Sequence, residues 1–194
     1  AINGINLVSL SNNHVLDRGT KGISNTIESL EKNNIYYFGV KTPENKIGSI
    51  IVDVGVNKCK KPMKTAFIGC TFSTNGIVDK NKQIPLCFDK QDQLLMIDEV
   101  KRLKEEKLVD QIIFMPHWGE EYFKNASSSQ YALAQKMISS GVDLILGSHP
   151  HVLQEFKYIN KVPVFFSLGN FFSWQSGMDK SSSVIVNVNF KQFN

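Results

Sequence analysis

Long apolar runs are missing from this chain: none of its 194 residues belongs to a stretch approaching the roughly 20 apolar side chains a membrane-spanning helix needs. No basic-then-apolar leader opens it, so it is expected to be a soluble segment without signal or span. Because it starts at Ala1 rather than Met, with a strand within a few residues, the natural protein is expected to extend further toward the N-terminus, where a signal or anchor would lie. Cysteine is scarce. Cys59, Cys70 and Cys87 are odd in number and lack CxxC spacing, which indicates neither a zinc knuckle nor a disulfide framework. Buried or idle thiols are the expectation, one disulfide plus a spare thiol stays open, and the redox compartment is undecided. An excess of one charge is lacking too: 22 Lys and Arg against 18 Asp and Glu leave a net +4. The lysines are scattered, and the mixed run Lys101 to Lys107 reads as the solvated face of a helix, so no nucleic-acid partner is expected. A polyanionic substrate would still be tolerated.

What is present suits one globular domain over residues 1–194, with 42% hydrophobic and 21% charged residues. Residues 5–10 read as a strand, Thr20 to Asn33 as a helix with Ile23, Ile27 and Leu30 on one face, and Tyr36 to Val40 as a second strand. Ile47 to Val56 and Thr65 to Cys70 suggest a hairpin or two sheet strands, and Phe72 to Phe88 a long loop beside the site. A helix from Asp89 or Lys90 to Lys107 precedes a strand over Gln111 to Met115. Ser127 and Gln130 have capping-box spacing for a helix that ends at Gly141. Strands follow at Val142 to Leu146, Val162 to Leu168 and, from the alternation of Val184, Val186, Val188 and Phe190, Ser183 to Phe190. This order predicts an α/β layered fold with mixed sheets and helices on the outer faces.

There are only four histidines, and their number says nothing. Their positions do: His14, His117, His149 and His151 all follow short apolar runs, in loops where a sheet would gather them at the carboxyl ends of its strands. His149-Pro150-His151 sets two imidazoles two residues apart, able to grip one metal or two adjacent ones; loop histidines bonded to backbone are the ordinary alternative. His117 precedes Glu120 and Glu121, carboxylates that would orient an imidazole or simply face water. The loop Asn12 to Asp17 joins amide, imidazole and carboxylate: Asn13 as a neutral oxygen ligand and His14 as a proton donor, or a turn rich in Asn and Asp for ordinary reasons. Convergence at one sheet edge favours a metal site.

The segments VSLSNNHVLDRG, FMPHWGEEY, LILGSHPHVLQ and VPVFFSLGNFFS, in that order from about Ile5 to Ser173, resemble the poly-γ-glutamate capsule-synthesis family of CapA type, itself similar to calcineurin-like metallophosphoesterases. The resemblance implies an αββα sandwich of mixed sheets with metals held between loops at the sheet edges. It assigns Asn13, His117, His149 and His151 to a divalent metal (Mn, Fe, Zn or Mg, two ions in the complete protein), His14 to the leaving group, and less defined roles to Asp17, Glu120, Glu121 and Asn170. It implies metal-dependent hydrolysis, a phosphorylated or poly-γ-glutamate substrate, membrane-bound capsule-synthesis partners and a membrane-anchored extracytoplasmic address. The alternatives are a non-catalytic polyglutamate-binding or export component and a general phosphoesterase. The family pattern opens with a strand ending in Gly-Asp that has no counterpart before Ile5, so the domain is expected to be N-terminally incomplete, lacking its first strand-helix unit and the carboxylates it carries.

Overall fold

The structure, a computed structural model, describes residues 4–56 and 61–189. Its elements run β1 (Leu7–Ser9), α1 (Gly19–Lys32), β2 (Tyr36–Phe38), β3 (Ile50–Val56), β4 (Pro62–Thr71), α2 (Lys90–Glu105), β5 (Gln111–His117), α3 (Ser128–Ser140), β6 (Leu144–Leu146), β7 (Phe156–Ile159) and β8 (Val162–Phe165). β1 and β2 pair in parallel as a small sheet. The other six strands form a main sheet in the order β3-β4-β5-β6-β8-β7, parallel from β4 to β8 and antiparallel at both edges. The mixed α/β architecture is the expected one.

The alternation of side chains along the parallel strands explains the layering. On one face Ala66, Ile68 and Cys70 of β4 and Ile112 and Phe114 of β5 join Met96, Val100 and Leu103 of α2 and Leu133, Met137 and Ile138 of α3 in the main core. On the other face Phe67 packs against Phe38 of the small sheet, with ring centroids 5.8 Å apart, and Gly69 admits Ser11 and Phe38 so closely that a Cβ there would lie 2.6 Å from Ser11 Oγ. Leu16, Ile23, Val40 and Ile84 form a second, smaller core under α1. Burying large side chains in the main core is worth about 1.5–3 kcal/mol each, and this core, the larger of the two, braces the strand ends that carry the site.

Both long main-sheet helices start as their sequences dictate. Asp89 caps α2 by accepting from the Gln91 and Asp92 amides, and Ser127 with Gln130 closes the capping box of α3. Gln130, fully buried, also donates to Gln154 Oε1 at 2.9 Å, and Gln154 in turn donates to the Phe123 carbonyl at 2.9 Å. The start of α3 is thereby fastened to the two loops that carry the histidines.

Four expectations need correction. β5 continues to His117, which is a strand residue and not a loop one, because its pairing with β4 persists through Thr71↔His117. Ser183 to Phe190 does not form a strand among its described residues: Ser183 makes a single bridge to Gly169, and beyond the Val184 amide bond to Leu168 the alternating valines have no ladder to join. Phe190 lies outside the described residues. A strand absent from the sequence reading, β7, forms a hairpin with β8 through Asn160 and Lys161, both at positive φ (49° and 69°), a turn whose lysine hides the usual Asn-Gly signal. Finally, Cys70 and Cys87 are not idle thiols but a disulfide that closes the loop between them; Cys59 lies outside the described residues.

Candidate metal centre

The parallel strands β5 and β6 end side by side, and a bridge between His117 and Ser148 extends their pairing one step beyond the sheet. Gly147 makes this possible: a Cβ there would lie 2.1 Å from the Phe166 carbonyl and 2.6 Å from Trp118 Nε1, so only glycine lets the strand end close. Trp118, fully buried, donates Nε1–H to that carbonyl at 2.9 Å and holds the turn after His117 in place.

His117 is pinned at both ring nitrogens, Nδ1 lying 2.9 Å from Ser148 Oγ and Nε2 3.0 Å from Asn13 Oδ1. His149 is 5% exposed, wedged between His117 and Phe72 with ring centroids 4.8 and 4.2 Å away, and its Nδ1 is buried without a hydrogen-bond partner. His151 places Nδ1 2.8 Å from Asn170 Oδ1, and Tyr122 stacks on its ring at 6.0 Å. His149 and His151 both sit at positive φ, 103° and 59°, a conformation that costs of order 1–3 kcal/mol in a non-glycine residue and persists only where the surroundings impose it.

Glu121, His149 and His151 bring one ligand atom each to within 4.8 Å of one another. Glu121, exposed, stands with the two histidines in a group that could hold an ion, whereas Glu120 lies outside that group. Burial holds His117 well below the usual histidine pKa, at about 3, with His149, His151 and His14 adding repulsion. Burial does the same to His149, at about 4, against the opposing pull of Glu121. Both imidazoles are therefore neutral at physiological pH, the form that ligates cations.

Asn13 is 5% exposed and faces His117, while His14 and Asp17 lie in the turn that follows β1. Asp17 Oδ2 is 2.8 Å from His14 Nδ1, so the carboxylate accepts a hydrogen bond from the Nδ1–H and leaves Nε2 facing away from it. Contacts thus link Asp17, His14, Asn13, His117, His149, His151 and Asn170 in a chain, with Glu121 beside the last two histidines and Glu120 outside the metal-ligand group. The sequence reading missed two contributors. Ser148 is signalled only by its place before the His-Pro-His run, and Asn75, whose Oδ1 accepts from Asn13 Nδ2 at 3.0 Å, carries no signal beyond an Asn-Gly turn in a long loop.

A family model described as "Bacterial capsule synthesis protein PGA_cap" matches residues 2–175. The chain belongs to this family. Within PGA_cap it is 32% identical over 190 residues to "Capsule biosynthesis protein CapA" of Bacillus anthracis, covering 97% of this chain and 45% of the relative. It is 29% identical over 196 residues to "PGA biosynthesis protein CapA" of Bacillus subtilis (strain 168), covering 96% and 47%. A shorter stretch of 56 residues is 39% identical to "Uncharacterized protein y4sH" of Sinorhizobium fredii (strain NBRC 101917 / NGR234), covering 29% of this chain and 11% of the relative. The PGA_cap chain described here thus spans about half the length of the two CapA relatives. No helix among its described residues is long and apolar enough to cross a membrane.

Proposed function

We propose that this chain carries the metal-dependent, phosphoesterase-like site of a capsule-synthesis protein, acting on poly-γ-glutamate or on a phosphorylated intermediate of its synthesis. The observation that carries the reading is the Glu121, His149 and His151 group. One carboxylate and two imidazoles suit Mn, Fe or Zn better than Mg, which favours an all-oxygen shell. The buried, partnerless Nδ1 of His149 fits a ring that spends its lone pair on a cation. Glu121, His149 and His151 would hold the ion, with Asn13 and His117 completing the donor set.

A divalent cation bound there supplies Lewis-acid polarisation of a phosphoryl or carbonyl oxygen. The chain's own residues do the rest. Asn170 accepts the Nδ1 proton of His151 and so leaves its Nε2 lone pair exposed to a ligand. Ser148 is placed to take the Nδ1 proton of His117 when Nε2 is required as a donor of electrons. Asp17 fixes the His14 ring so that a proton on Nε2 can pass to a departing oxygen. The basic balance of the chain favours capture of a polyanion. The Cys70–Cys87 disulfide supports an oxidising, extracytoplasmic compartment, where membrane-bound capsule machinery would be the partner.

The test is calorimetric titration of the purified protein with Mn²⁺, followed by turnover of a chromogenic phosphate ester. Wild type should bind and turn over, and His149→Ala should do neither. Equal Mn²⁺ binding by the two would overturn the metal site. Binding of polyglutamate that weakens steeply with salt, with no turnover in the Mn²⁺-loaded protein, would replace the catalytic reading with a carrier role.

A further inference from the structure

Asn75 belongs to none of the sequence motifs, yet it reaches from one side of the site to the other. It sits in the loop between Cys70 and Cys87, as the first of the two central residues of a tight turn in which Asn75 and Gly76 both have positive φ (53° and 76°) and the Ile77 amide donates to the Thr74 carbonyl at 3.0 Å. The base of that loop is fixed three times over: by the disulfide, by the Cys87 amide donating to Thr71 at 2.8 Å, and by the Phe72 amide donating to the His117 carbonyl at 2.8 Å.

The consequence lies in the two ends of an amide. Asn13 can offer a cation its oxygen but not its NH2 group, and the two ends differ only by a half-turn of the side chain. In the structure Asn13 Nδ2 donates to Asn75 Oδ1 at 3.0 Å, which turns Asn13 Oδ1 toward His117. Removing the acceptor frees the amide to flip and present hydrogens where an electron pair is wanted. The Nδ2 end of Asn75 lies 3.4 Å from His14 Nδ1, but that nitrogen already donates its N–H to Asp17, so the pair makes no hydrogen bond and Asn13 is the partner that Asn75 holds.

We infer that Asn75 is a positioning residue: its Oδ1 locks Asn13 with the oxygen facing the centre, on a loop that the Cys70–Cys87 disulfide holds in register. What the positioned oxygen is for rests on the metal-site reading above; the lock itself does not.

Two variants separate the lock from the turn. Asn75→Gly keeps the left-handed backbone and removes the side chain, whereas Asn75→Asp keeps an acceptor oxygen and tolerates the same backbone. In metal-free protein with labelled asparagine, the Asn13 side-chain amide resonances should move in Asn75→Gly and return toward wild type in Asn75→Asp. Resonances unmoved in Asn75→Gly would overturn the inference. Mn²⁺ affinity should fall about 3- to 10-fold in Asn75→Gly, the worth of one ordinary hydrogen bond, and be wild-type or tighter in Asn75→Asp. Equal weakening in both variants would mean that Asn75 serves only the turn, and the inference would fall. Should the wild type bind no Mn²⁺ while the resonances behave as stated, the lock stands and the metal reading fails.

Discussion

His117, His149 and His151 stand at or just beyond the ends of main-sheet strands, braced by Ser148, Asn170 and a fully buried Trp118, whereas His14 and Asp17 lie on a turn beside the small sheet with side chains 64% and 47% exposed. One side is over-determined and drier, with His149 buried and His117 and His151 half-buried; the other is wet and held by few contacts, joined to the first through Asn13 and Asn75. The difference suits the two tasks proposed above. Holding a cation requires donors fixed to fractions of an ångström, while passing a proton to a departing group requires a ring that solvent can recharge.

The sharpest way to break the contrast is His149→Ala, expected to reduce Mn²⁺ affinity by more than about 100-fold in calorimetry while leaving the His14–Asp17 turn intact by NMR. If affinity survives, the dry side is not the metal side. Next comes the loop that joins the two: Cys87→Ala opens a ring of 17-residue sequence separation and should cost about 3 kcal/mol of stability in urea unfolding. A loss confined to a few tenths would show that the backbone bonds at Thr71 and Phe72 hold the loop unaided. On the wet side, Asp17→Asn should lower kcat by roughly 10- to 100-fold with Mn²⁺ affinity unchanged, since it disturbs proton placement alone. A matching drop in metal affinity would erase the division of labour. Asn170→Ala should weaken Mn²⁺ about tenfold through His151, measured by the same titration.

The smallest effect concerns pH. Because burial depresses the pKa of His117 to about 3 and of His149 to about 4, while unfolded histidine titrates near 6.5, the unfolded chain binds more protons in between. The stability of the metal-free protein should therefore be fully present above about pH 6.5 and decline as pH falls toward 3–4, a slope that His117→Gln should flatten in thermal melts. A slope unchanged in His117→Gln would show that the His117 ring is not its source.

Much of this was legible from residues whose signals are local. Ser127 and Gln130 announce a helix start from spacing alone, and the apolar runs before His117 and His149 announce strand ends, because local capping and period-two burial act within a few residues. What stayed hidden depends on partners distant in sequence. Cys70 at the end of β4 meets Cys87 ahead of α2 across 17 residues, and Asn75 meets Asn13 across 62. Glu121 could not be told from Glu120 by pattern, since one residue's difference after a left-handed Gly119 decides which carboxylate reaches the histidines. The valines after Ser183 show the converse: alternation prepares a strand but cannot supply the neighbour that completes it.

The left-handed backbone at His149 sets the role proposed for its ring against the ease of the fold. At φ 103° any L side chain is strained and glycine is at ease, so His149→Gly should relieve the backbone while losing the imidazole, against the void the buried ring leaves between His117 and Phe72. Only selection on what the site does would keep an imidazole there.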